Sequence, residues 1–427
     1  MKKHAARKSR SSEGPALGFI QQRVLPLMEV IVALKDGLRE LVVSSGMQVL
    51  EVLLEDDREK LCGPKRKQQI EREAYRYGYD QGQLVMGGRK VAVAKPRVRR
   101  VAGGGEVTLP AWEAFRRADP LNERVVEQVL TGVSTRNYER SLEPLDGERK
   151  AIGVKKSSVS RRFIQATSQK VSTFLNRSLE ELDLPVIMID GLHVGEEVVI
   201  GVIGIDANGN KHVLGLCQGP SESDRVCRGL LSNLIDRGLV VERARLFVID
   251  GSAGLRKAIR HTFGQWALIQ RCQIHKMRNV LEHLPERKRE WARAKMRKAW
   301  EAASVEKAKS ILEGLARSLG DHPSAAASVR EGLDETLTLI KLGVTGALYR
   351  SLRTTNAIEN LQGTIRRITR NVRRWRNGTM IVRWVATALM EAEGRFRRIK
   401  GVSDMPRFLK ALIRSTEAEP QGVQKIA

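Results

Sequence analysis

Two short apolar runs that both end in Ile-Asp-Gly constrain the fold of this chain most strongly. Residues 184–189 lead into Asp190, residues 246–249 lead into Asp250, and each aspartate is followed by glycine. Apolar runs of this length between turn residues are typical of strands buried on both faces of a sheet. If the two strands lie side by side and parallel, their carboxylates meet at one edge of the sheet.

The segments around these runs predict the rest of an α/β unit. Residues 198–205 and 212–217 are β-rich and are separated by an Asn-Gly hairpin turn. A helix is expected over 221–237, a second after Ser252, and a further strand over 266–270. The order strand, strand, strand, helix, strand, helix, strand predicts a ribonuclease-H-like α/β core.

The chain divides into seven predicted segments. The predicted fold class is α/β. We expect the ribonuclease-H-like core to be interrupted by a charged helical insertion and preceded by an all-α DNA-binding region. The boundaries are 1–62 for a basic tail and helical unit, 63–119 for a basic linker with a short hairpin, 120–182 for a helical, helix-turn-helix-like domain, 183–276 for the first part of the core, 277–345 for the insertion, 346–402 for the last part of the core, and 403–427 for a C-terminal tail.

The charge balance indicates a polyanionic partner. The chain has 75 Lys and Arg against 49 Asp and Glu, a net charge of +26 over 427 residues. Nucleic acid is expected rather than a membrane, because no stretch approaches the roughly 18 apolar residues of a spanning helix. The four cysteines have no paired spacing and no export signal is recognised, so we expect a cytoplasmic, nucleoid-associated protein.

The 120–182 segment carries two residues that we expect to bind DNA. It reads as short helices, NERVVEQVLTG, STRNYERSLEPL and a Ser-rich helix that bears Arg161 and Arg162. A helix-turn-helix protein presents the start of its second helix to the major groove. An ordinary helical linker with a basic face explains the pattern equally well. Upstream, the tyrosines of YRYGYDQG lie among arginines, and a tyrosine cluster that closes a hairpin is favoured over base stacking.

Glu359 is the third carboxylate expected at the sheet edge, because it lies on a helix that can pack there. Three adjacent acids repel one another unless a cation neutralises them, and carboxylates suit Mg²⁺ or Mn²⁺. Two such ions and a phosphodiester would give the chemistry of nucleases and polynucleotidyl transferases. The alternatives are that Asp190 and Asp250 are turn residues and that Asn356-x-x-Glu359 is a capping box.

The helix that begins near Asn356 has a polar face suited to DNA. Residues at spacings of 3, 4, 3 and 4 share this face, namely Asn356, Glu359, Gly363, Arg366 and Arg370. A glutamate there can hold a metal while the arginines bind phosphates, and Gly363 leaves room for a DNA backbone. Arg367 and Arg373 extend the basic surface, and we expect them to bind DNA with Asn356, Arg366 and Arg370. A solvated Arg-rich face is the alternative.

Several motifs resemble the Mutator-type bacterial insertion-sequence transposases, which belong to the Asp-Asp-Glu class and have a ribonuclease-H-like core. The motifs are the first Asp-Gly at Asp190, VIDGSAGLRKAIRHTF around Asp250, QRCQIHKMRN, and RTTNAIENLQGTIRRITR around Glu359. Weaker similarities are YRYGYDQG, AKPRVRR, TGVSTRNYER and SSVSRRF. The resemblance covers about residues 70 to 400. The segment GLHVGEE after Asp190 departs from the family's more usual aromatic and basic residues.

The resemblance implies a function and a set of site residues. Asp190, Asp250 and Glu359 are then the catalytic triad that binds two Mg²⁺ or Mn²⁺ ions, and 277–345 is the family's insertion domain. The protein is expected to bind the terminal inverted repeats of its element, to hydrolyse phosphodiesters and to transfer the 3′-hydroxyl ends into target DNA. Because two ends must be held at once, we expect a homodimer or a higher assembly on DNA.

Cys272 and His275 form a Cys-x-x-His pair that the resemblance identifies as a family signature. Such a pair could form half of a zinc site, but a zinc site needs four ligands. The nearest other candidates have no paired spacing, so zinc is not expected and a polar or DNA-facing role beside the active site is favoured; they are Cys217, Cys227, His261 and His283. His193 is expected to be a structural or surface residue. The rival functions are a structure-selective nuclease with the same core and a non-catalytic basic DNA-binding protein.

Overall fold

The chain forms two compact units, which divide between Ala166 and Thr167. The computed structural model describes residues 45–67, 72–117, 120–145, 150–194, 197–219 and 223–417. The predicted basic tail and first helix up to residue 44 lie outside the described residues, as does the end of the C-terminal tail from residue 418. In the described part of the chain, no helix is both long enough and apolar enough to span a membrane.

The first unit contains a sheet as well as helices. Residues 45–62 are helical (α1), and an antiparallel three-stranded sheet follows, made of β1 (Ala74–Met86), β2 (Arg89–Arg100) and β3 (Glu106–Val107). Leu50 and Leu54 of α1 pack with Val91 and Val93 of β2 and with Trp112. The predicted short hairpin is therefore a long one with a third strand, and the region before the core is not all α.

The helices of the first unit also differ from the predicted arrangement. They are α2 (Pro110–Arg117), α3 (Pro120–Thr131) and the start of α4 (Lys156–Leu175), which continues into the second unit. The segment STRNYERSLEPL contains only a 3-10 turn, Glu139–Ser141. Its buried Tyr138 donates a hydrogen bond to the carbonyl of Gly88 (2.7 Å), which ties the segment to the β1–β2 turn. The connection between α3 and α4 is much longer than a helix-turn-helix turn of three or four residues.

The second unit is built on a five-stranded mixed sheet of order β6-β5-β4-β7-β8. The strands are β4 (Val186–Val194), β5 (Glu197–Ile205), β6 (Lys211–Gly219), β7 (Arg245–Ile249) and β8 (Ala267–Arg271). β4, β5 and β6 form an antiparallel meander, and β7 and β8 are parallel to β4. The helices α5 (Asp224–Asp236) and α6 (Ala253–Phe263) connect β6 to β7 and β7 to β8. The predicted α/β class and order of elements are confirmed.

Alternation along β4 decides which residues face which layer. Ile187 and Ile189 belong to the core cluster beneath α5 and α6. Neighbouring residues of a strand point to opposite faces, so Asp190 lies on the other face of the sheet. That face is covered by α13 (Asn356–Thr369) and α14 (Gly378–Glu393), which pack against β4 and β6 respectively.

A separate helical region lies between β8 and α13 in sequence. It contains α7 (Gln273–Glu282), α8 (Glu286–Trp300), α9 (Val305–Ser318), α10 (Pro323–Arg330), α11 (Thr338–Lys341) and α12 (Gly346–Leu352). Residues of this region bury their own apolar cluster, which includes Met296, Trp300, Leu312 and Leu315. The last described helix is α15 (Met405–Glu417). The charged segment predicted as an insertion is therefore helical with a core of its own.

Candidate active site

Asp190 lies on β4 where the neighbouring strand β7 ends. The last parallel pair between the two strands is Ile189 with Ile249, so Asp190 and Asp250 are the next residues on adjacent strands. The Asp190 side chain is buried, with 6% of the residue exposed, and its Oδ1 accepts a hydrogen bond from the Gly191 N–H (2.9 Å). The predicted meeting of the two Ile-Asp-Gly strands at one sheet edge is confirmed.

Asp250 is held by the turn that starts α6. Its Oδ1 accepts a hydrogen bond from the Ser252 N–H (3.0 Å), and the Ser252 hydroxyl in turn caps α6 by accepting from the Leu255 N–H (3.3 Å). Gly251 between them has φ +117°, and a Cβ there would overlap the Arg271 side chain. Glycine is therefore required at this position, because other residues rarely adopt such a φ and the space is filled.

Glu359 is in the first turn of α13 and faces α7. Helix α13 is amphipathic, with Ile358, Leu361, Ile365 and Ile368 buried. Glu359 Oε1 lies 3.2 Å from His275 Nε2 and 3.4 Å from an Arg278 guanidinium nitrogen. The Asn356 N–H donates to the Thr354 hydroxyl (3.4 Å), and no side chain caps the helix. The structure therefore does not contain the alternative capping box between Asn356 and Glu359.

His275 lies close to the carboxylates of Asp190 and Glu359. One ligand atom each from Asp190, His275 and Glu359 lie within 4.8 Å of one another. Asp250 is not part of this cluster, although its charge acts on Asp190. The sequence motif around Cys272 indicated a position near the site but did not show that His275 contacts Glu359.

Burial and neighbouring charges shift the pKa values of Asp190 and His275 in this cluster. Burial raises the pKa of Asp190 from its ordinary 3.8 to about 6, and repulsion from Asp250 adds to this rise. Interaction with the Cys272 side chain, together with the charges of Asp190 and Glu359, raises the pKa of His275 to about 9. His275 is therefore protonated at neutral pH and partly neutralises the two carboxylates.

Cys272 holds the start of α7 against the sheet. It is fully buried, and its N–H donates to the carbonyl of Ile249 (2.7 Å), the residue before Asp250. Although burial acts in the opposite direction, interaction with His275 lowers the pKa of the Cys272 thiol. In the described residues, no cluster of potential metal ligands joins this pair to the other cysteines and histidines.

Gln362 is a contact residue that the sequence analysis missed. Strand β4 extends beyond the end of β7, which leaves the backbone of His193 without a strand partner on that side. The Gln362 side chain of α13 pairs there instead: its Oε1 accepts from the His193 N–H (3.0 Å) and its amide donates to the His193 carbonyl. This clamp joins α13 to β4 one helical turn after Glu359. In the sequence, the only indication of this contact is that Gln362 lies one helical turn after Glu359.

The remaining residues predicted to bind DNA lie on two surfaces, one in each unit. Asn356, Arg366, Arg367, Arg370 and Arg373 are all exposed along and just after α13. In the first unit, Arg161 is exposed on α4, whereas Arg162 is half-buried and donates to the side chain of Asn122 (3.3 Å). The exposed face of α13 is thus available to a ligand, while Arg162 is partly engaged within the protein.

The fold and the cluster define an α/β protein whose acidic residues meet at a sheet edge beneath an arginine-rich helix. The chain belongs to the Mutator family of transposases, whose sequence profile matches residues 22–398. The family resemblance predicted from the motifs is confirmed.

Individual relatives are similar over most of their length. The transposase for insertion sequence element ISRM5 of Rhizobium meliloti (strain 1021) is 28% identical over 374 residues, which cover 85% of this chain and 89% of the relative. The transposase for insertion sequence element IS256 in transposon Tn4001 of Staphylococcus aureus is 26% identical over 360 residues, which cover 80% and 87%. Both relatives are insertion-sequence transposases.

Proposed function

We propose that this chain is an Asp-Asp-Glu transposase that cleaves the ends of its element and joins the 3′-hydroxyl ends to target DNA. The observation that carries the proposal is the convergence of Asp190 from β4 and Glu359 from α13 beside the end of the strand that precedes Asp250. Membership of the Mutator family supports the same reaction. We also propose that the sheet and its flanking helices are a ribonuclease-H-like core.

The acidic residues fit divalent ions. Asp190 is buried and repelled by Asp250, so its charge is unfavourable even with the protonated His275 nearby. Carboxylate oxygens are the ligands that Mg²⁺ and Mn²⁺ prefer, and we propose that Asp190, Asp250 and Glu359 hold two such ions. When bound, a pair of these ions supplies the electrophilic activation that phosphodiester hydrolysis and transfer require.

The protein's own residues set the geometry of this site. Gly191 and Ser252 orient the carboxylates of Asp190 and Asp250 through backbone N–H groups, and Gln362 fixes α13 against β4. The protonated His275 lies 3.2 Å from Glu359 and keeps the metal-free site from carrying its full negative charge. Helix α13 packs on β4, the strand that carries Asp190, and its arginines are exposed.

We propose that DNA lies along the exposed face of α13. Asn356, Arg366, Arg367, Arg370 and Arg373 would contact phosphates there, and Arg161 and Arg162 of the first unit would bind the terminal repeats. Transposition handles two ends of the element together. We therefore expect a homodimer or larger assembly on DNA. Solution mass measured with and without end DNA tests this expectation, and a monomer in both conditions would contradict it.

The test of the proposed function separates binding from chemistry. Binding of labelled DNA that carries the element's ends is measured in EDTA, and cleavage is measured with Mg²⁺ or Mn²⁺, for the wild type and Asp190→Ala. We expect the variant to bind DNA but not to cleave it. Asp321→Ala removes an exposed carboxylate (93% side-chain exposure) and serves as the matched control with wild-type cleavage.

The same assay distinguishes the two rival functions. Cleavage of the ends without joining to a target would favour a structure-selective nuclease with the same core. Metal-dependent cleavage that is undiminished in Asp190→Ala, or no cleavage by the wild type, would contradict the proposed site. In the latter case retained DNA binding would favour a basic DNA-binding protein.

A further inference from the structure

A cleft of about 300 Å³ lies beside α13 in the second unit, on the flank next to the face that carries Glu359. One wall is formed by Asn360, Thr364 and Arg367 of α13. These residues follow one another at helical spacing, and the first of them is adjacent to Glu359 in sequence. The opposite wall is formed by the end of α14 and the residues after it, and Lys211 at the start of β6 also contributes.

The lining of the cleft has an excess of positive charge. Its cations are Lys211, Arg367, Arg395 and Arg397, and its one carboxylate among the lining residues is Glu391. Glu391 is already paired with Arg395 one turn further along the chain. The other three cations therefore have no carboxylate partner within the cleft, so the cleft attracts an anion.

Lys211 is the most informative of these cations. It is half-buried, its Nζ lies 5.4 Å from the centre of the Phe396 ring, and burial lowers its pKa. In the described part of the chain, no carboxylate lies within ion-pairing distance of its ammonium. A cation that is partly removed from water without an anionic partner costs free energy, which an anion entering the cleft offsets.

We propose that this cleft binds a phosphodiester group of the DNA strand that α13 presents to the carboxylate site. The inference rests on the proposed function and deepens it, because it assigns a DNA contact outside the face of Arg366 and Arg370. The volume is at the lower limit of ligand pockets, which suits one phosphate with its sugar. Lys211 and Arg397 provide the charges, and the Asn360 and Thr364 side chains provide further hydrogen-bonding groups.

The test compares a variant that lacks two cations of the cleft with a control variant that lacks two exposed cations of α15. Binding of duplex DNA is measured in EDTA at several salt concentrations for the wild type, for Lys211→Met with Arg397→Gln, and for a control, Lys410→Gln with Arg414→Gln. The control residues are exposed on α15. Each phosphate contact contributes about −0.9 to the slope of log K against log salt. The cleft variant is expected to bind about tenfold more weakly, with a slope smaller by about 0.9 because one phosphate contact is lost, whereas the control binds like the wild type.

The outcomes distinguish this inference from the proposed function. If the wild type cleaves DNA and the cleft variant binds and cleaves as the control does, the proposed DNA contact in the cleft is wrong and the proposed function stands. If the wild type neither binds nor cleaves DNA, both fail. Inorganic phosphate and a mononucleotide are tested as separate ligands: loss of their binding in the cleft variant with unchanged DNA binding would assign the cleft to a free anion and overturn the inference. Thermal unfolding of each variant checks that it is folded.

Discussion

Burial of the Asp190 carboxylate lowers the free energy of unfolding at neutral pH. The residue is 6% exposed and its pKa is raised from 3.8 to about 6, so its charged form is less favourable in the folded chain than in the unfolded chain. That difference corresponds to about 3 kcal/mol. A buried acid with a raised pKa is typical of a functional site, where stability is sacrificed for chemistry.

Asp190→Asn is therefore expected to stabilise the metal-free protein. Because the folded pKa is the higher one, the folded state binds more protons between pH 3.8 and about 6, and the destabilisation by Asp190 grows as pH rises through this window. The gain in unfolding free energy should be about 3 kcal/mol at pH 8 and about half of that at pH 5. Urea unfolding in EDTA at both pH values measures it. Equal stability of the two proteins at pH 8 would show that the carboxylate is not destabilised.

Single residues were predictable where a local pattern determined their position. Asp190 and Asp250 were predicted together because each follows a buried strand and precedes glycine, and the parallel pairing of those strands brings them side by side. The contact of His275 with Glu359 was not predictable. It depends on how α7 leaves β8 and how α13 packs, and no local spacing encodes either feature.

Helix α13 is the element that brings distant parts of the chain to one site. Its apolar face packs on the sheet, its first turn carries Glu359, and Gln362 pairs with the free backbone edge of β4 at His193. The sequence predicted the helix and its polar face from spacing alone. It did not predict the clamp, because a glutamine in a helix has no distinguishing pattern and its partner is a backbone group.

Gln362→Met tests the clamp as a positioning contact. Methionine keeps the length and helix propensity of the side chain but removes both hydrogen bonds to His193. Loss of such supporting contacts typically costs 10- to 100-fold in metal affinity or activity. We expect a cleavage rate about 10- to 100-fold lower and a higher Mn²⁺ concentration for half-maximal activity, with unchanged DNA binding in EDTA. A variant that lost thermal stability while keeping the same Mn²⁺ midpoint would indicate a purely structural contact.

Gly363 offers a second test of α13. It is exposed within the helix, and a Cβ at this position would have no atom within 4 Å. Gly363→Ala should raise the unfolding free energy by about 0.5–1 kcal/mol, because alanine is the better helix former. If a DNA backbone approaches this face, the added methyl group should also weaken DNA binding several-fold. Urea unfolding and DNA titration measure the two effects, and unchanged affinity would mean that the backbone does not approach Gly363.

Prediction of the elements succeeded for buried strands and failed for one polar segment. The strands of the second unit are apolar runs bounded by turns, and their order in sequence restricts how they pair. STRNYERSLEPL has helical spacing, but burial of Tyr138 and its hydrogen bond to Gly88 hold most of it out of a helix. A tertiary contact of this kind overrides a weak local preference.

At the scale of the whole molecule, the net charge of +26 predicts strong salt dependence of DNA binding. If the four arginines proposed to contact phosphates along and after α13 all do so, these contacts alone should give log K against log salt a slope of about −4. Titrations of labelled duplex DNA between 50 and 200 mM salt, concentrations at which such slopes are resolved, measure this value. A slope near zero would contradict binding through phosphate contacts.

We propose that Asp190, Asp250 and Glu359 form one metal-dependent site for cutting and joining DNA. The most direct measurement follows cleavage and joining of labelled element-end DNA with Mg²⁺ or Mn²⁺ in the wild type and in Glu359→Gln, which keeps the shape and helix propensity of the side chain. We expect metal-dependent joining by the wild type and its loss in the variant, with DNA binding retained. Equal activity of the two proteins would contradict the role of Glu359 and the assignment of α13 to the active site.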